Sequence, residues 1–128
     1  MSTAAGTANT VAQLDRELNQ AVLAGDILGA FEKFYADDVV MQENLDEPKV
    51  GKDVNREYEK KFIESVETFH SGAVLSSAVN EAESVSFSEW EYDVTFKGAG
   101  RTKLTQVAVR RWKNGKVAHE RFYYKGMN

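Results

Sequence analysis

Leu23 to Asn44 reads LAGDILGAFEKFYADDVVMQEN. Gly25 suits the left-handed position that closes a helix, and Asp26 directly after it suits the cap of the next one. Leu28, Phe31 and Phe34 or Tyr35 then fall on the inner face of that second helix. From Val39 the spacing changes to alternation, so that Val39, Met41 and Glu43 share one face of a strand running to Asn44. Two helices leading directly into a strand point to an α+β domain. Glu43 also poses the functional question. Either the strand runs out into water there, or a carboxylate sits in an apolar recess, where it would suit work as a general base.

Upstream, Thr10 and Gln13 have the spacing of a capping box, and Val11, Leu14, Leu18 and Val22 recur at helical intervals. Residues 1–8 are small and polar, so they are expected to be mobile, with a single domain over 9–128. Downstream lies a polar loop, LDEPKVGK, with the only proline, Pro48. Val54, Tyr58, Phe62 and Val66 step by four and predict a third amphipathic helix ending at about Val66. Strand-rich runs follow at roughly 70–80, 85–97, 102–113 and 116–125, with GAG (Gly98 to Gly100) and NG (Asn114, Gly115) where hairpin turns belong.

A two-residue NG loop pairs Lys113 with Lys116, and the faces follow by counting outward. One face then carries Trp112, Arg110, Ala108 and Gln106 beside Val117, His119, Arg121 and Tyr123. The other pairs Arg111 with Ala118, Val109 with Glu120, Val107 with Phe122 and Thr105 with Tyr124; being more apolar, it is expected to look toward the helices.

The chain of 128 residues has 16 Lys plus Arg against 20 Asp plus Glu, a formal charge of −4, which argues against broad binding to nucleic acid or anionic lipid. No cysteine is present, so disulfides and thiolate chemistry are excluded. The two histidines, His70 and His119, lack metal-ligand spacing, so no metal site is expected. The first ten residues do not read as a signal peptide, and no apolar run reaches membrane-spanning length. A cytoplasmic protein is expected.

The order of elements is familiar. LAGDILGAFEKFYADDVVMQEN, a Gly-containing loop, a helix and a β meander with WKNGKV together resemble the SnoaL-like branch of the nuclear-transport-factor-2-like superfamily, from Asn9 to Tyr124. The resemblance implies a cone: a strongly curved antiparallel or mixed sheet closed by three N-terminal helices around a deep pocket, commonly dimerising through the outer sheet face. In ketosteroid isomerase, the best-understood relative, the strand resembling YADDVVMQE places the catalytic base at the position of Glu43. The oxyanion-hole tyrosine falls at about Leu18, and the protonated aspartate at Val107, or at Ala108 if the hairpin is shifted. None of these side chains donates a hydrogen bond, which argues against steroid isomerisation.

The candidate catalytic residues are therefore Glu43 and Glu120, the latter inward by parity, with an ion pair to Arg111 as its alternative role. If both entered one cavity, repulsion would leave an acid and a base side by side. Tyr58, Phe62, Trp90, Tyr92, Phe122 and Tyr124 are the candidate ligand-binding wall, and Gln106, Arg110, Trp112, His119, Arg121 and Tyr123 the candidate dimer face. Two functions fit. One is a cofactor-independent isomerase, cyclase or dehydratase acting on a small apolar molecule through a buried glutamate. The other is a non-catalytic ligand-binding or accessory dimer.

Overall fold

The computed structural model describes residues 9–125, so the mobility expected of residues 1–8 lies outside the described residues. Three helices, α1 (Val11–Leu23), α2 (Ile27–Phe34) and α3 (Lys52–Ser65), cover one face of a curved six-stranded sheet. The strands are β1 (Tyr35–Glu43), β2 (Lys49–Val50), β3 (Val66–Asn80), β4 (Val85–Phe96), β5 (Gly100–Lys113) and β6 (Lys116–Tyr123). Their spatial order is β2-β1-β6-β5-β4-β3. The expected antiparallel meander accounts for β3 to β6. β1 then adds to β6 in parallel, making the sheet mixed, and the short β2, unforeseen in the proline loop, closes the edge.

Local chemistry starts and stops these elements as their sequences require. Thr10 accepts from the Gln13 amide while the Gln13 side chain accepts from the Thr10 amide, the reciprocal box that satisfies two free donors of α1. Glu81, from the β3–β4 turn, accepts from the amides of Val11 and Ala12. Gly25 takes φ 88°, closing α1, and Asp26 caps α2 through the Gly29 amide at 3.1 Å. At the NG turn Asn114 and Gly115 both have positive φ, 53° and 76°, as a two-residue hairpin loop demands, and Lys113 does pair with Lys116.

Counting outward from that turn then goes wrong by one residue. Trp112 pairs with Val117, but Arg111 pairs with His119, so Ala118 is an extra residue on β6. Such a bulge turns every later side chain of β6 to the opposite face relative to β5. Arg110 thus lies opposite Glu120 and Ala108 opposite Phe122, and the inner face of β5 is that of Trp112, Arg110, Ala108 and Gln106. The apolar Val107 and Val109 face outward. Here the helices select the face through buried ion pairing rather than through hydrophobicity alone.

The core fills one end of the cone. Leu18, Ala30, Phe31, Phe34, Tyr35, Val39, Met41, Trp112 and Val117 pack together, each at most 7% exposed. At the other end α3 spans the sheet without filling the space beneath it. Asn55 is the buried residue of α3, tied to the backbone oxygens of Gly51 and Lys49 at 2.8 and 3.0 Å. Val54, Tyr58 and Phe62, expected to form a buried stripe, are 47%, 51% and 41% exposed, and Val66 opens β3 instead of ending the helix. No described helix is long and apolar enough to cross a membrane.

Candidate functional site

Between α3, α1–α2 and the inner sheet face lies a cavity of about 450 Å³. Much of its wall is aromatic, with Phe31, Tyr35, Trp90, Tyr92, Phe62 and Phe122 among the lining side chains. Trp90 and Tyr92 stand two residues apart on β4 and stack at 5.5 Å with 14° between their planes. On the floor, Glu120 is fully buried and accepts at both oxygens: from the Tyr35 hydroxyl at 2.6 Å and from Arg110 Nε at 2.6 Å. Arg110, 3% exposed, also donates through Nη1 to Asp15 at 2.8 Å and Asn19 at 2.5 Å on α1. Ser86 donates to the same Asp15 oxygen at 2.8 Å and accepts from the Trp112 indole at 2.9 Å.

This network is closed. Burial alone would push the Arg110 pKa down, but Glu120, Tyr35 and Asp15 outweigh it, and the guanidinium stays charged. Burial and the Glu120 carboxylate hold the Tyr35 hydroxyl well above its usual range, so it remains a donor. Glu120 therefore makes an ion pair, as one of the two sequence readings had it, but with Arg110 in place of Arg111. The bulge at Ala118 is the reason.

Glu43 lies at the rim of the same cavity. Face parity along β1 holds, since Val39 and Met41 are buried, but the Glu43 side chain is 44% exposed. It accepts from the Tyr124 hydroxyl at 2.7 Å and from Lys49 at 3.4 Å. Of the two alternatives for Glu43 the strand end in water holds and the dry recess does not, because the strand ends at Glu43 itself and the loop after it is exposed.

The carboxyl that does face the cavity without a partner is Glu59, on α3. Among the described residues it has no hydrogen bond or ion pair. Burial, followed by the charges of Glu120 and Glu43, pushes its pKa from 4.5 up to about 7. The sequence pattern hides it, because the four-residue step Val54, Tyr58, Phe62 places the apolar stripe inward. In the fold the helix is rotated so that Asn55, Glu59 and Phe62 share the inner side. Asn55 was the available signal: a polar residue four positions before Glu59 that has to be buried to bond backbone oxygens.

Tyr58, Phe62, Trp90, Tyr92 and Phe122 line the cavity, whereas Tyr124 meets Glu43 at its rim. Tyr92 and Gln106 also line it, and among the described residues their side chains have no hydrogen-bond partner. Burial drives the Tyr92 hydroxyl pKa upward, with Arg110 opposing and Glu120 and Glu59 reinforcing, so Tyr92 is a hydroxyl donor. Of the residues expected on a dimer face, Arg110 and Trp112 are corrected to the interior, at 3% and 6% exposure, and Gln106 to the cavity wall. His119, Arg121 and Tyr123 do lie on the outer face. Among the described residues no three His, Asp or Glu side chains converge as metal ligands.

The sequence matches the family model described as SnoaL-like domain over residues 7–124. No curated protein sequence matches the chain. Among solved structures, a candidate SnoaL-like polyketide cyclase from Mesorhizobium loti is 31% identical, with 91% of this chain and 100% of that one covered and a TM-score of 0.80. A candidate polyketide cyclase from Pseudomonas putida KT2440 is 21% identical over 92% and 93% of the two chains, with a TM-score of 0.77. A nuclear-transport-factor-2-like protein of unknown function from Burkholderia pseudomallei is 18% identical over 92% of each chain, with the same TM-score of 0.77. From its conical fold, its helix-covered cavity and the match across nearly its whole length, the chain belongs to the SnoaL-like domain family.

Proposed function

We propose that the protein catalyses proton transfer on a small, largely apolar carbonyl compound, with Glu59 as its general acid–base and no cofactor taking part. The observation that carries this reading is the unpartnered Glu59 carboxyl in an aromatic cavity. A carboxyl that titrates near neutrality is matched to both taking and returning a proton at working pH. Removal of a proton from the carbon next to a carbonyl moves charge onto the oxygen, which then needs donors. The Tyr92 hydroxyl and the Gln106 amide line the same cavity and are unengaged among the described residues. Return of the proton at another carbon isomerises the substrate, and attack of the enolate on a second carbonyl closes a ring. The 31% identity to a candidate polyketide cyclase supports this class of chemistry.

Glu43 is a weaker base candidate because Tyr124 and Lys49 engage its carboxylate in contact with water. The test is deuterium exchange at the α-carbon of a panel of hydrophobic ketones led by 2-tetralone, followed by NMR. The native protein accelerates exchange, and Glu59→Gln loses roughly a hundred- to ten-thousand-fold of that acceleration. Equal rates in the native protein, the variant and buffer would contradict the proposal. Ligand binding without any exchange would leave the protein as a non-catalytic carrier.

A further inference from the structure

Two carboxylates and one guanidinium meet in ion pairs beneath the cavity floor, and their formal charges do not cancel. Asp15 and Glu120 are 2% and 0% exposed, and both bond the single guanidinium of Arg110. Two carboxylates against one cation leave one net negative charge in a region of low dielectric, where screening by water is weak. Glu59 faces this floor from α3 and has no cation of its own among the described residues. Its ionisation would bring the interior to two net negative charges.

Among the described residues the other cations of the cavity lining are Lys49 and Lys61, while Lys52, 5.9 Å from the Phe31 ring, is engaged by Glu32 and the Tyr35 carbonyl. Lys49 lies 3.4 Å from Glu43 and 4.5 Å from the centre of the Tyr58 ring, and Lys61 lies 5.6 Å from the same ring. Lys61 is two residues from Glu59 on α3, a spacing that points the two side chains in different directions. The tyrosines of the wall, Tyr35 and Tyr92, are held in the hydroxyl form and bring no charge. Aromatic faces line the space between mouth and floor, and Trp90 already carries the Arg110 guanidinium 5.9 Å from its ring centre. Such faces attract cations most strongly where water is excluded.

We infer that the cavity selects ligands bearing a cationic nitrogen on an apolar body, an alkylated amine or ammonium, seated between the aromatic wall and the Glu59 carboxylate. This rests on the cavity of the proposed function being a ligand site, but not on Glu59 turning a substrate over. A bound ammonium supplies the missing positive charge and displaces the proton that Glu59 otherwise retains. An anionic ligand would have to stay at the two lysines of the mouth.

Three probes of similar shape and different charge test the inference by calorimetry at pH 8: benzyltrimethylammonium, its neutral isostere neopentylbenzene, and 3-phenylpropanoate. The cation is expected to bind about tenfold or more tighter than the neutral compound. In Glu59→Gln that preference shrinks, and an unchanged circular-dichroism spectrum with cooperative thermal unfolding shows that the variant has kept its fold. At pH 6 the native protein releases a proton on binding the ammonium, seen as a dependence of the heat on the ionisation enthalpy of the buffer. Equal or tighter binding of the neutral or anionic probe overturns the charge inference and leaves the acid–base reading to its exchange assay. Failure of all three probes to bind overturns the charge inference, and the exchange assay on 2-tetralone decides the acid–base reading separately.

Discussion

Glu120 and Glu59 look into the same cavity, one from the sheet and one from the helix above it, and they have opposite surroundings. Glu120 accepts from Tyr35 and Arg110, and its partner arginine is itself held by Asp15 and Asn19. Glu59 is half-buried and accepts from nothing among the described residues. A carboxylate whose two oxygens both accept hydrogen bonds is a structural part, held in place. One that is half-buried and left without protein donors is free to exchange its proton with whatever enters. Under the proposed function the difference separates a scaffold glutamate from a working one, and burial alone would rank them the other way.

Breaking the floor gives the largest expected effect. Arg110→Ala leaves Glu120 and Asp15 buried without a cation, at a cost of about 3–5 kcal/mol in urea unfolding. A small loss would mean that water reaches the floor and that the contrast with Glu59 is overdrawn. Next comes pH. A raised carboxyl pKa means that the folded chain holds this proton more tightly than the unfolded chain does. Stability from Glu59 is therefore fully present below about 4.5 and is lost as pH rises through about 7. The span corresponds to roughly 3 kcal/mol. Unfolding followed from pH 4.5 to 8 should show native stability falling relative to Glu59→Gln, whose amide does not titrate. Parallel curves would mean that Glu59 is hydrated.

Smaller effects calibrate the comparison. Thr10→Ala removes the α1 cap and should cost about 1 kcal/mol, as for an ordinary helix terminus. Glu43→Gln at the rim weakens an exposed pair with Lys49 and should change stability by less than about 1 kcal/mol. A larger change at Glu43 would move the dry region outward to the mouth and restore that residue as a rival base.

Much of the fold was legible because its signals are local. The Thr10–Gln13 box, the Gly25–Asp26 junction and the Asn114–Gly115 turn act within a few residues and need no knowledge of the partner element. The β1 face was legible for the same reason, and Glu43 does turn toward the cavity. What escaped depends on a single extra residue, Ala118, which has no side-chain signature yet moves Arg110 from the outer face to the floor. A clue lay on α1, where Asp15 and Asn19 are interleaved with Leu14, Leu18 and Val22 on a buried stripe. A carboxylate there needs a cation, and an arginine on a neighbouring strand is the natural source. Glu59 escaped because four-residue spacing leaves a helix's rotation open by about one residue, some 100° of arc. The short β2 escaped because two residues between a proline and a glycine carry no periodicity.

On this account the Glu59 carboxyl, half-buried in the hollow and without a protein donor among the described residues, exchanges its proton near neutrality. Carboxyl-carbon NMR on the native protein, with the resonance assigned by its absence in Glu59→Gln, measures this directly. A midpoint near 7 is the predicted result; a midpoint near 4.5, the value of a hydrated glutamate, would contradict it.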